Sequence, residues 1–197
     1  MVAPLPKFVD PAAAGHDALA DADRNTDAEP QSTRPISALT YRLAVLRHYR
    51  PVYELAAGLL RGQAEAEDVT QEVFLEYWQR GSSVRRPREW MLTVARNRCM
   101  DRLRRSGRYI SEEDASVPEP RDDRGPAWQY DQDALAERLE RHIASLPEPQ
   151  RSLVLLFDVQ GLSGEECARV VGINVNQVKV YLHRARRRLR AKLETDE

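Results

Sequence analysis

Asn176, Gln177, Lys179, His183, Arg184, Arg187, Arg188 and Arg190 fall on one side of a single 100°-per-residue projection, with Val180 in their midst. Amide and guanidinium groups form bidentate pairs with base edges, and the remaining cations neutralise phosphate, so this set suits duplex DNA. A second set, Trp90 and Asn97 among Arg98, Arg104 and Arg105, suits unpaired nucleic acid. Bases stack on the aromatic ring, their edges accept amide hydrogen bonds, and arginines hold the backbone. Each set also has a plainer reading. The first is equally a solvated basic face. In the second, Trp90 could cover a core and Asp101 could pair with Arg98, Arg104 or Arg105.

The first set needs a helix, and the sequence supplies it with a partner. Ser163 and Glu166 form a capping-box pattern, Gly172 supplies a turn, and Asn174 with Gln177 repeats the box. Val175, Val178, Leu182, Ala185 and Leu189 share the opposite, buried side. The stretch Gly161–Lys192 is therefore predicted as a helix-turn-helix. Beneath it, Arg151–Val159 reads as a compact apolar helix, preceded by a helix from about Ala134 to Leu146 that carries Leu135, Leu139 and Ile143.

The second set sits on a helix predicted over Arg88–Arg105, with Leu92, Ala95, Cys99 and Leu103 inward. Before it, Ala64–Arg80 shows two apolar stripes. Val69, Val73 and Tyr77 form one; Gln71, Phe74, Leu75 and Trp78 form the other. One stripe serves the domain's own core. The second is either enclosed by neighbouring helices or offered to a partner, and the interleaved Glu67, Asp68, Glu72 and Glu76 favour a basic, apolar protein partner. Upstream, Leu39, Leu43, Leu46, Tyr49 and Tyr53 recur at helical spacing, continued by Leu55, Leu59 and Leu60, with Pro51 expected at a helix start or kink.

The totals agree with an all-α chain. Among 197 residues, 31% are charged and only nine are glycine. The net charge of -1 hides segregation, since Arg85–Arg108 and Lys179–Lys192 are strongly basic. Residues 1–34, rich in Ala, Asp and Pro, are expected to be disordered. Residues 108–133, with Pro118, Pro120, Pro126 and the acids Glu112, Glu113, Asp114, Glu119, Asp122, Asp123 and Asp131 among them, are expected to form a flexible acidic linker. It divides a helical domain over 35–107 from a helix-turn-helix domain over 134–194. Cys99 and Cys167 have no metal spacing and read as buried thiols in a reducing cytoplasm. No apolar run reaches the length of a membrane span, so a cytoplasmic protein without membrane insertion is expected. No nucleophile, metal or phosphate-loop arrangement appears, so no catalytic residue, metal ligand or cofactor is assigned and the chain is not expected to be an enzyme.

In order and spacing, AEDVTQEVFLEYW, PREWMLTVARNRCMDRLRR and LPEPQRSLVLLFDVQGLSGEECARVVGINVNQVKVYLHRARRRLR resemble the extracytoplasmic-function (ECF) group of bacterial RNA polymerase sigma factors. The resemblance spans about Leu39–Leu193. It implies that Asp68–Gln79 docks on core RNA polymerase, through Asp68, Gln71, Glu72, Phe74, Leu75 and Trp78. It implies that the loop Gly81–Arg88 and the following helix recognise and open the −10 element of promoter DNA, with Arg85, Arg86, Trp90, Arg96, Asn97, Asp101, Arg102 and Arg105 at or near the DNA. Asn174, Asn176, Gln177, Lys179, Val180, His183, Arg184 and Arg187 would read the −35 element, and the acidic linker would thread toward the RNA exit path. An anti-sigma protein is a further partner often found in this group.

Two departures stand out. Val180 and Tyr181 occupy positions where the group commonly has a small polar and a basic residue. Val180 is expected to contact a thymine methyl, and Tyr181, nearer the buried edge, to pack. The segment before Pro35 is longer than short members need. Rival readings are a polymerase-independent helix-turn-helix regulator, an enzyme of nucleic acid whose first domain binds substrate, and a sigma-like protein that binds polymerase without initiating.

Overall fold

A computed structural model of the chain describes residues 36–80, 83–112 and 132–195; the expected disordered extension and residues 113–131 of the expected linker lie outside them. Among the described residues every regular element is a helix, and one isolated bridge joins Ser111 to Glu148.

Helix α1 spans Ala38–Leu60. Ser37 caps it, its hydroxyl accepting from the Thr40 N–H at 3.1 Å. Pro51 lies inside this helix instead of starting it. Val52, Leu55, Ala56, Leu59 and Leu60 are buried, whereas Leu39, Leu43 and Leu46 face solvent with 68%, 58% and 83% of their surface exposed. The long apolar series thus splits, and only its second half enters the core. Arg61 ends the helix at φ 61°, a left-handed position, and its N–H returns to the Ala57 carbonyl.

Helix α2, Gln63–Arg80, turns Ala66, Val69, Val73, Phe74 and Tyr77 inward. Buried Thr70 satisfies its hydroxyl by donating to the Ala66 carbonyl at 2.7 Å. Helix α3, Pro87–Arg105, begins with proline, where no N–H is needed. It buries Leu92, Ala95, Cys99 and Leu103 as predicted, together with Met91 and Met100. All three helices pack on one another.

The second half comprises α4 (Gln132–Ala144), α5 (Gln150–Leu153) with a wider π-helical continuation over Val154–Val159, α6 (Gly164–Val171) and α7 (Val175–Thr195). Leu153 and Leu156 of the short apolar segment are fully buried, alongside Cys167, Val170, Val178 and Ala185.

Two helical halves are thus present, but they do not stand apart. The described residues gather into one compact unit in which α3 lies against α6, and α1 meets α4, α5 and the π-helical turn. Gly58 permits this approach: a Cβ there would stand 2.9 Å from both Leu155 methyl carbons. Arg151, only 5% exposed, donates from Nη2 and Nε to the Gly58 carbonyl at 2.6 and 3.1 Å. Burial in this seam pulls the Arg151 pKa down to about 10. Arg88 donates to the Gln160 carbonyl at 3.1 Å, and the Gln160 amide to that of Pro51 at 2.7 Å. The first residues of the expected tether are bound as well: the Glu148 N–H donates to the Ile110 carbonyl, and the Glu112 carboxylate accepts from Gln150 and Arg184.

Candidate nucleic-acid interface

The geometry of α6 and α7 is set locally. Ser163 accepts from the Glu166 N–H at 3.3 Å, and the Glu166 carboxylate accepts from the Ser163 N–H at 2.8 Å. The latter bond first, then the hydroxyl contact, holds the Glu166 carboxyl below its ordinary value. Gly172 turns the chain at φ 78°. Asn174 and Gln177 then close a second reciprocal box, at 2.8 and 3.0 Å. Four local hydrogen bonds and the glycine turn therefore define where the two helices start and where the chain turns between them.

On α7, Val178, Leu182 and Ala185 are buried while Asn176, Gln177, Lys179, Val180, His183, Arg184 and Arg187 are exposed. Val180 is 48% exposed, a bare isopropyl group among cations and amides. Tyr181 is half-buried and packs on the core, with the Arg184 guanidinium 5.9 Å from its ring centroid. Arg184 also pairs with Glu112 at 2.8 Å, and Arg186 with Asp158.

The residues singled out around α3 separate into four places. Arg85 and Arg86 are exposed on the loop before it, Arg86 lying 3.6 Å from Glu89. Trp90 is half-buried, 6.0 Å from the Tyr77 ring, with the Arg80 guanidinium 5.9 Å away. Asn97, Asp101, Arg102 and Arg105 line an open cleft of about 450 Å³ between α2 and α3. Arg98 forks across it to Glu72 at 2.6 Å and Glu76 at 2.7 Å; Arg102 bonds Glu72 at 2.8 Å and the Glu65 carbonyl at 3.1 Å. Asp101 pairs with Arg104 at 3.1 Å. Arg96 stands roughly 100° around the helix from Asn97 and enters the seam, where it meets Ser152 Oγ at 3.0 Å and Glu148 at 3.5 Å.

The second stripe of α2 is largely covered from within. Phe74 is 4% exposed beneath Tyr41 and Tyr49 of α1, and Trp78 is half-buried with its ring 5.1 Å from that of Tyr41. Burial leaves Phe74 without a surface to offer in this arrangement. Gln71 and Leu75 stay exposed, Leu75 by 59%, with Asp68 beside them. Sequence reasoning passed over Arg88, Glu148, Arg151 and Gln160, which join the halves. Arg151, a cation opening an otherwise apolar helix, was the available signal.

Among the described residues no group of three or more His, Cys, Asp or Glu side chains could hold a metal ion, and no helix is long and apolar enough to cross a membrane. Burial raises the Cys99 thiol to about 12 and the Cys167 thiol to about 11.

Residues 44–109 match the family model of sigma-70 region 2, and residues 136–189 that of sigma-70 region 4. The ECF RNA polymerase sigma factor SigL of Mycobacterium tuberculosis is 33% identical over 156 residues, covering 75% of this chain and 85% of SigL. This chain belongs to the ECF sigma factor family. SigE of Mycolicibacterium smegmatis, another ECF sigma factor, is 33% identical over 153 residues, 74% of this chain but 58% of SigE, so the chain spans little more than half of that relative's length. The fold is shared with the sigma factor RpoE of Bartonella quintana, solved with the anti-sigma factor NepR, at a TM-score of 0.61 and 24% identity over 80% of this chain and 99% of that one. Within the family's frame, α1 to α3 form region 2, and α4 to α7 form region 4.

Proposed function

We propose that this ECF sigma factor is the promoter-specificity subunit of a bacterial RNA polymerase, itself catalysing no reaction. Core polymerase docks on α2 through Asp68, Gln71, Leu75 and the edge of Trp78. Region 4 reads the duplex of the −35 element with the exposed face of α7. Region 2 opens the −10 element with Arg85, Arg86, Trp90, Asn97, Asp101 and Arg105, holding unpaired bases by stacking and amide contacts. Unstacking costs a few kcal/mol per step, which those contacts offset. The chain works in the cytoplasm and is a fit target for an anti-sigma protein such as the one bound to the Bartonella quintana RpoE.

The observation that carries this reading is the pairing, in one chain, of a capped helix-turn-helix whose exposed α7 face is basic and amide-rich with a second helix set presenting Trp90, Asn97 and arginines. A self-sufficient repressor needs only the first. Reconstitution with core polymerase is expected to give promoter-dependent run-off transcripts at starts mapped after overexpression. Tight, saturable binding to those upstream sequences by the chain alone, with no transcript when polymerase is added, would sink it.

A further inference from the structure

Three exposed amides stand at the start of α7: Asn174, Asn176 and Gln177. A free side-chain amide pairs with adenine through two hydrogen bonds. Its oxygen accepts from N6 while its nitrogen donates to N7. The fold does not leave all three amides free to do this. Asn174 Oδ1 accepts from the Gln177 N–H at 2.8 Å, and Gln177 Oε1 accepts from the Asn174 N–H at 3.0 Å. A backbone N–H can only donate, so each of these amides must turn its oxygen, and not its nitrogen, to the main chain. Swinging either one round to lie in the plane of a base would release a backbone donor that the box now satisfies.

Asn176 carries no such tie. Its side chain is exposed and has no hydrogen-bond partner among the described residues. It precedes Val180 by four residues, so the two share one ridge of the exposed face, a single turn apart. Buried Val178 lies away from that ridge. Lys179 and Arg187, also exposed, have donors only and suit guanine or phosphate. Asn176 is therefore the amide of this face whose acceptor and donor can both turn to one base.

The geometry points to Asn176 as the adenine-reading residue of α7. Asn174 and Gln177 present their NH2 groups, which donate to phosphate or to a purine N7 and so do not tell adenine from guanine. This rests on the DNA-reading function above and narrows it, dividing amides that are equivalent by residue type into one base reader and two capping groups.

The full-length chain with core RNA polymerase tests this by run-off transcription at limiting holoenzyme, on a promoter whose start has been mapped. Each adenine of the −35 element, on either strand, is replaced in turn by purine deoxyriboside, which lacks the N6 amino group, or by 7-deazaadenine, which lacks N7. With the unaltered chain, both replacements are expected to lower the transcript at least about five-fold at one and the same adenine, the low end of discrimination by a bidentate pair. Asn176→Ala leaves the capping box intact and is expected to lose the N6 dependence at that adenine. Gln177→Glu keeps an acceptor for the Asn174 N–H but has no NH2 group. Whatever its overall yield, it is expected to keep the N6 dependence. An element with no N6-dependent adenine overturns the assignment, as does N6 dependence that persists in Asn176→Ala or vanishes in Gln177→Glu. A transcript indifferent to every base change across the element overturns the DNA-reading function, and the assignment with it.

Discussion

At the scale of single residues, Val180 separates this chain's DNA-facing surface from a generic cationic one. A further cation there would add to a charge the face already carries, whereas an isopropyl group 48% exposed can gain only from an apolar partner. The one apolar group in the major groove is the thymine methyl. Burying it contributes about 0.8 kcal/mol, roughly four-fold in affinity. Replacing thymine by uracil across the −35 element is therefore expected to weaken the unaltered protein about four-fold at one position, and Val180→Ser hardly at all. Equal methyl dependence in both proteins would exclude the contact. Arg98 illustrates the opposite case, a cation within the predicted DNA-facing surface that is committed to the fold. It bridges Glu72 and Glu76, and with a side chain about one-third exposed its contribution is screened in part. Arg98→Ala is expected to lower stability by about 1 to 2 kcal/mol in urea melts, and Arg98→Lys to recover less than half, because an ammonium cannot fork to two carboxylates.

At the scale of elements, the helix-turn-helix was readable because its signals are local. Ser163 with Glu166, Gly172, and Asn174 with Gln177 each act over three residues or fewer, and each does in the structure what its type and spacing predict. Ser163→Ala is expected to cost about 1 kcal/mol in thermal or urea melts. The Glu166 carboxyl is depressed in the folded state, so its contribution is present above its ordinary unfolded value and lost as pH falls through the folded one. Helix content around α6 should then decline on acidification more steeply in the native protein than in Glu166→Gln. The core faces of α2 and α3 were legible for a similar reason, since period alone selects Val69, Val73, Leu92 and Cys99. The inner face of α1 was not. Leu39, Leu43 and Leu46 are as apolar as Leu55 and Leu59, and only the positions of α2 and α3 decide which series is covered. Likewise Phe74 reads as an outward residue until Tyr41 and Tyr49 are placed over it.

At the scale of the whole molecule, the least legible feature was the joining of the halves. Its carriers are Arg88, Arg151 and Gln160, polar side chains whose partners are the carbonyls of Gln160, Gly58 and Pro51. A backbone carbonyl is the same at every residue, so no pattern of side chains announces the pairing. Joined this way, the halves should lose structure together: small units that share an interface melt as one cooperative transition. Arg151 is the member whose removal most weakens that coupling, since it is buried, bonded twice to one carbonyl, and opposite a glycine close to Leu155. Truncation leaves the Gly58 carbonyl without its donor inside the seam, a penalty of about 1 to 3 kcal/mol. The buried apolar side chains of the two halves, Leu55 to Leu103 and Leu146 to Ala185, belong to one continuous cluster, so the seam bonds add to an apolar contact that already joins the halves. Calorimetry is therefore expected to show a single endotherm for the unaltered chain and a single one of lower Tm for Arg151→Ala, with the calorimetric and van't Hoff enthalpies equal in both. Two separate endotherms already present in the unaltered protein would mean that the seam contributes too little to couple the halves in solution.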